Sequence, residues 1–103
     1  MMPRRGRRRR GRRGRLPTPI YIGHQLVTRT FIPQPEGGEP PILLEAEELE
    51  ALRLVDLEDL SQEEAGDRMG VSRGTVWRLL HRARRKVVQA LIEGRRIQLS
   101  EEP

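Results

Sequence analysis

Arginines recur along the segment from Met69 to Lys86 at intervals that place several of them on one face of a helix. Arg78, Arg82 and Arg85 are separated by four and three residues, and side chains with this spacing lie above one another on an α-helix. A guanidinium can form two parallel hydrogen bonds with O6 and N7 of guanine, or it can neutralise a phosphate. These residue types therefore indicate recognition of a nucleic acid rather than catalysis.

The residues from Gln62 to His81 fit the pattern of a helix-turn-helix motif. Ala65 and Gly66 are small at the point where the second helix would cross the first, and Met69 would fill the space between the helices. Gly70 suits the turn, because glycine adopts the left-handed conformation that ends a helix without strain. The alternative is an ordinary pair of packed helices with no nucleic-acid partner.

The predicted DNA-binding face belongs to the second helix of the motif, whose N-terminal part enters the major groove. Arg78 is the first candidate for reading a base, and Arg85 lies further along, where contact with the DNA backbone is favoured. Any one of these arginines could instead be solvated or paired within the fold, and His81 could have no role. The predicted residues are Ser72, Arg73, Gly74, Thr75, Arg78, His81, Arg82 and Arg85.

Trp77 and His24 are not among these predicted DNA-binding residues. Trp77 either contacts DNA or packs against the strand-like stretches that contain Tyr21 and Phe31, and we favour packing. No partner pattern surrounds His24, so we predict that it is a loop residue.

Residues 1–15 form a second basic feature, with nine arginines and no acidic residue. Self-repulsion and the lack of apolar side chains predict a disordered, flexible arm. Such an arm suits the minor groove or the phosphates of DNA, and it suits RNA equally well. Its arginines are Arg4, Arg5, Arg7, Arg8, Arg9, Arg10, Arg12, Arg13 and Arg15.

Charge is strongly segregated in the rest of the chain. From Glu36 to Asp67 there are twelve acidic residues and one arginine, and from Ser72 to Arg96 there are eight basic residues and one glutamate. The basic segment predicts a polyanionic partner. Alternatively, the two segments neutralise each other within the fold.

The remaining patterns predict a mainly α fold built on a three-helix core with a helix-turn-helix. An apolar period near 3.6 indicates a helix over Ala46–Leu57. A capping box of Ser61 and Glu64 opens a second helix that ends at Met69. Ser72 caps a third helix that runs to Gly94.

Short strands are predicted around this core, in residues 20–44 and 96–99. "IYI" and "LVTRTFI" are strand-like, and "ILL" (42–44) could pair with "IQL" (97–99), within one chain or between two. We divide the chain into the basic arm (1–15), an irregular extension and linker (16–44), the DNA-binding domain (45–99) and a tail (100–103).

Several classes of function are disfavoured by composition. The chain has no cysteine, which excludes disulfides and thiolate metal sites. No apolar run is long enough to span a membrane and no export signal follows the basic start, so we expect a cytoplasmic protein with no membrane partner. No catalytic set, phosphate loop or metal-ligand spacing is present, so we expect neither an enzyme nor a cofactor.

The stretch "LSQEEAGDRMGVSRGTVWRLLHRARRKV" resembles the helix-turn-helix of region four of bacterial sigma factors. From Leu49 to Leu99 the chain resembles more closely a prokaryotic family catalogued as domain of unknown function number 134, through its "SQEEA", "GVSR" and "RK" motifs. The resemblance implies a DNA-binding protein in which Ser72, Arg73, Thr75 and Arg78 face DNA. Gly66 stands where relatives usually have alanine and Gly74 where they often have proline.

We therefore expect a sequence-specific double-stranded DNA-binding protein that regulates transcription, with the recognition helix over about residues 72–93. We expect it to act as a homodimer, because single helix-turn-helix units often bind as pairs. The alternatives are a module that binds RNA or ribonucleoprotein, and a protein that docks on RNA polymerase through the acidic helix from Glu45 to Glu58. Charge reversal in one half or the other distinguishes them.

Overall fold

The computed structural model describes residues 19–26, 29–38 and 40–100. The elements follow in the order β1 (Thr30–Phe31), β2 (Ile42–Leu44), α1 (Ala46–Leu52), α2 (Gln62–Met69), α3 (Arg73–Glu93) and β3 (Ile97–Leu99). The prediction of a mainly α fold with a three-helix core is confirmed. The basic arm lies outside the described residues.

The first helix has the predicted extent but changes its winding. α1 continues directly into a π-helical segment over Arg53–Leu57, so the helical path ends at Leu57 as its apolar period predicts. Glu48 accepts a hydrogen bond from the Glu45 N–H at 2.9 Å and so satisfies one of the free amides at the N-terminus of α1. Asp59, with φ of 63°, turns the chain away from the helix.

The turn between α2 and α3 has the geometry that the sequence predicts. Ser61 and Glu64 form the capping box, with bonds of 2.8 and 3.0 Å, and Gly70 ends α2 in the left-handed conformation with φ of 73°. A Cβ on Gly66 would lie 2.7 Å from the carbonyl oxygen of Val71. Gly66 therefore lets the turn approach α2 closely, which explains why this position must be small.

The three strands form one small sheet in the order β1-β3-β2. β2 and β3 are parallel, with Ile42 opposite Ile97, and β1 runs antiparallel to β3, with Thr30 opposite Gln98. The predicted pairing of "ILL" with "IQL" is confirmed, and it occurs within one chain.

The expected strand at "IYI" is wrong. Residues 20–22 lie in irregular structure, where Tyr21 donates its N–H to the carbonyl of Met69 at 3.0 Å instead of joining the sheet. Within "LVTRTFI", residues 27–28 lie outside the described residues, and Thr30–Phe31 forms the strand β1.

The apolar core lies between the three helices and continues under the sheet. Its largest cluster joins α1, α2 and the first half of α3, and a second cluster joins the sheet to Ala83 of α3. The buried apolar residues of α3 are Val76, Leu79, Leu80, Ala83 and Ala90. Leu91, the residue after Ala90, points to solvent and is 74% exposed.

Candidate nucleic-acid interface

The N-terminus of α3 is held in place by its own polar side chains. The Ser72 hydroxyl accepts the Thr75 N–H at 3.1 Å and caps the helix. The same hydroxyl donates to the Thr75 hydroxyl at 3.0 Å, and the Arg78 guanidinium donates to that hydroxyl at 3.2 Å. Three of the predicted DNA-binding residues are therefore joined in one chain of hydrogen bonds, which restrains the Arg78 side chain.

Gly74 lies on the exposed side of this first turn. The nearest atom to a Cβ built on Gly74 is the Ser72 hydroxyl oxygen, at 3.9 Å. Among the described residues, no packing contact requires a glycine at this position. Its effect is to leave the surface of the first turn free of a side chain, so that another molecule can approach the backbone.

The structure divides the cations of α3 into two sets. Arg84 donates to Asp56 at 2.6 Å, Lys86 to Glu48 at 2.7 Å, and Arg82 to Glu48 at 3.1 Å. These three cations are balanced by acids of α1 and the π-helical segment. For these three cations, the alternative that the acidic and basic segments neutralise each other within the fold is therefore correct.

The second set carries no balancing acid. The side chains of Arg73, Arg78 and Arg85 are exposed, and among the described residues none of them contacts a carboxylate. Arg82 is intermediate, because its side chain is 54% exposed although it is paired with Glu48. The predicted face therefore has three arginines that no described acid balances, with Arg82 paired at its edge.

Glu48 pairs with two of the three balanced cations of α3, and this role was not predicted from the sequence. Its carboxylate is fully buried. Burial raises the pKa of Glu48, but hydrogen bonds from Lys86, from the Glu45 N–H and from Arg82 outweigh it, so that the pKa lies below its ordinary value. Glu48 is therefore a buried anion held by two cations of α3, and it ties α1 to that helix.

A second buried carboxylate anchors the N-terminal extension. Glu50 accepts hydrogen bonds from the Gly23 N–H at 2.8 Å and from Arg53 at 2.9 and 3.0 Å, and it lies 2.6 Å from Nδ1 of His24. Burial raises its pKa, but the bonds from Arg53, His24 and Gly23 lower it further, to about 2. The prediction that His24 is a loop residue is confirmed, but its partner Glu50 was not predicted, because 26 residues separate the two side chains and no local spacing reveals the pair.

This anchor brings the extension to the turn of the helix-turn-helix. Tyr21 is bonded to Met69, and a Cβ on Gly70 would lie 3.0 Å from the Tyr21 ring and 3.9 Å from the Pro19 carbonyl. Pro19 thus lies beside the turn that precedes α3.

Trp77 is not buried by the strand-like segments, so the favoured prediction for it is wrong. Its side chain is 54% exposed, and its ring stacks on His81 with centroids 5.2 Å apart and an angle of 4° between the planes. Both residues lie on the exposed side of α3. His81 is a predicted site residue, and the Trp77 ring therefore covers one face of its imidazole.

Within the described part of the chain, no group of three histidine, aspartate or glutamate side chains is placed to hold a metal ion. None of the described helices is long and apolar enough to cross a membrane. The expectations that the protein is not an enzyme and has no cofactor stay predictions.

Fold and site together define a small helix-turn-helix protein with a short supporting sheet and a cationic third helix. The chain belongs to the family described as "Protein of unknown function DUF134", whose model matches residues 2–101. The match extends well beyond the segment from Leu49 to Leu99 that carries the resemblance in the sequence. No solved structure matches the chain, so the likeness to region four of sigma factors stays a prediction.

Archaeal relatives are named only as UPF0251 proteins. The relative from Pyrococcus furiosus is 51% identical over 96 residues, which cover 93% of this chain and 86% of the relative. That from Pyrococcus horikoshii is 62% identical over 66 residues, covering 64% of this chain and 60% of the relative. That from Archaeoglobus fulgidus is 47% identical over 85 residues, covering 82% and 81%.

Proposed function

We propose that the protein binds double-stranded DNA in a sequence-specific manner and regulates transcription, with the N-terminal half of α3 in the major groove. The observation that carries this proposal is the division of the cations on one helix. Arg73, Arg78 and Arg85 project with no balancing acid among the described residues, while neighbouring cations are neutralised by acids of α1 and the π-helical segment. A protein that needed its cations only for internal pairing would have no reason to leave these three exposed.

Arg78 is assigned to base reading. Its bond to Thr75 restrains a long side chain before DNA arrives, and a restrained guanidinium loses less conformational entropy on binding. A bidentate contact with guanine is worth about 1–3 kcal/mol of discrimination against other bases. Arg73 and Arg85 flank it and are assigned to phosphates, which position the helix without reading sequence.

The internal ion pairs also serve binding by removing negative charge from the interface. Glu48 and Asp56 would repel DNA if they were free, but each is bonded to a cation of α3. The acidic stretch therefore supports the helix that approaches a polyanion. This pairing counts against docking on RNA polymerase through the acidic helix, because Glu48 and Glu50 are buried.

Binding to RNA is the second candidate, and one observation favours it. Trp77 and His81 present an exposed stacked pair, and unpaired bases stack on such side chains. The arginine arm adds charge that suits either nucleic acid. We rank this reading second because it gives no role to the free arginines at the start of α3.

The test is fluorescence anisotropy across a salt series with three probes: random duplex, duplex selected on the full chain, and structured RNA. The proteins are the full chain, a variant with all nine arm arginines changed to serine, and Arg78→Ala. Arg84→Ala is the matched control, because it removes the same charge from the same helix at a residue already paired with Asp56.

We expect the arm variant to lose affinity for all three probes but to keep its preference for the selected duplex. Arg78→Ala should remove most of that preference, and Arg84→Ala should retain it. If all binding resides in the arm and RNA binds as well as duplex, the proposed function is wrong.

A further inference from the structure

A cavity of about 340 Å³ lies between the sheet, α1 and α3, on the side of α1 and α3 that carries no predicted DNA-binding residue. It belongs to the second apolar cluster, which joins the sheet to α3. Aliphatic side chains from all three parts of the fold form its wall, among them Leu44 and Leu99 of the sheet, Leu49 and Leu52 of α1, and Val87 of α3.

The apolar cluster around this cavity is incompletely packed. Leu49, Leu52 and Ile97 pack against the cluster but stay only partly buried, and Val87 is half-buried as well. Protein interiors are normally filled to the density of organic crystals. Aliphatic side chains that converge on an unfilled space are typical of a ligand site, and such sites measure about 300–1,000 Å³.

The cavity also has a mouth. Phe31 and Gln25 belong to the wall, and both are exposed, Phe31 by 59%. A molecule can therefore reach the cavity without unfolding of the domain. A large exposed aromatic side chain that continues an apolar cavity is typical of a ligand-binding groove.

We propose that this cavity binds a small uncharged hydrophobic molecule. Among the described residues of the wall, Gln25 has the sole polar side chain. Nothing in this wall would balance a charged ligand, and an unbalanced charge is costly to bury. A segment of another protein fits poorly for a related reason, because its backbone N–H and C=O groups would lack partners against an aliphatic wall.

The volume sets the size of the ligand. An engineered apolar cavity of about 150 Å³ holds one benzene molecule. The cavity described here is about twice as large, so it accommodates a ligand with about a dozen carbon atoms. One polar group on the ligand can be directed at Gln25 in the mouth. The site does not depend on the proposed DNA binding.

The first test uses two probes with the same ring system, 1-naphthol, which is uncharged at neutral pH, and 1-naphthoate, which is an anion. Binding to the full chain is measured by calorimetric titration and by thermal unfolding. The variant Val87→Phe places a ring in the cavity. Val88→Phe is the matched control, because it makes the same change at the next residue of α3, which is 55% exposed and lies outside the wall.

We expect 1-naphthol to bind saturably with a Kd below about 1 mM and to raise the Tm of the unmodified chain and of Val88→Phe. The anion should bind at least about tenfold more weakly. Val87→Phe should weaken binding of 1-naphthol at least about tenfold, because its ring takes up the space of the ligand. Equal affinity for the two probes, or the absence of saturable binding to the unmodified chain, overturns the proposal.

A second measurement locates the probe on the unmodified chain, and it decides the question even if Val87→Phe does not fold. Nuclear Overhauser effects are recorded between 1-naphthol and the methyl groups of leucine and valine. We expect effects at Leu49 and Val87 and none at Leu91, which is 74% exposed and lies outside the wall. Effects of equal strength at Leu91 would show adsorption to any exposed apolar surface and would overturn the proposal.

Discussion

Replacing Glu48 by glutamine separates the two roles that the structure gives to the cations of α3. The Glu48 carboxylate is fully buried and holds Lys86 and Arg82, whose side chains are 29% and 54% exposed. Glutamine keeps the shape and an acceptor for the Glu45 N–H but removes the charge. We therefore predict that Glu48→Gln is less stable and yet binds DNA more tightly.

The magnitude follows from the exposure of the two cations. Breaking a buried ion pair costs about 3–5 kcal/mol when the surviving charge stays buried. Here Lys86 and Arg82 can turn to water, so we expect a smaller loss, about 2 kcal/mol, measured by urea unfolding at neutral pH. Each freed cation that reaches a phosphate steepens the log–log dependence of affinity on salt by about 0.9.

Glu63→Gln is the matched control for this prediction. It changes the net charge equally, but the Glu63 side chain is exposed in the first turn of α2 and pairs with no described cation. It should leave stability nearly unchanged and raise affinity only slightly. If both variants bind DNA with equal affinity and equal salt dependence, Glu48 does not control the availability of cations on α3, and the reasoning is refuted.

Two further predictions concern the supporting structure. Gly66→Ala should destabilise the fold by about 1–3 kcal/mol in urea unfolding, because the new Cβ meets the Val71 carbonyl at 2.7 Å; a gain in stability, as expected from helix propensity alone, would contradict the close approach. The pKa of Glu50 is about 2, below its unfolded value, so its stabilisation is present above about pH 4.5 and is lost as pH falls towards 2. On the order of 3 kcal/mol should disappear over this window, and Glu50→Gln should lose much less; equal losses in both proteins would exclude Glu50 as the cause.

The helices of this protein are readable from the sequence because their signals are local. Ser61 and Ser72 cap helices that begin one residue later, and Gly70 and Gly94 end them in the left-handed conformation. The pairing of residues 42–44 with 97–99 was also predicted, because short apolar runs flank the helical domain. The caps and glycines lie within one residue of the helix ends that they determine, and the paired strands are recognisable as short apolar runs.

The sequence predicted which helix face carries the arginines but not which of these arginines are unpaired. That distinction depends on contacts between distant segments. Arg82 pairs with Glu48 across 34 residues, and Arg84 with Asp56 across 28. No spacing rule distinguishes such arginines from the free ones. Trp77 was misplaced for the same reason, since Tyr21 docks on the turn at Gly70 and leaves the Trp77 ring exposed.

The measurement that tests the central claim most directly is a base-by-base specificity profile of Arg78→Ala. The selected duplex is varied to all four base pairs at each position, and binding is compared among the unmodified chain, Arg78→Ala and the control Arg84→Ala. If α3 reads sequence as proposed, Arg78→Ala loses about 1–3 kcal/mol of discrimination at one base pair and keeps it elsewhere, while Arg84→Ala keeps the full profile. A uniform loss of affinity at every position would show that Arg78 contacts only the phosphate backbone, and would contradict the claim.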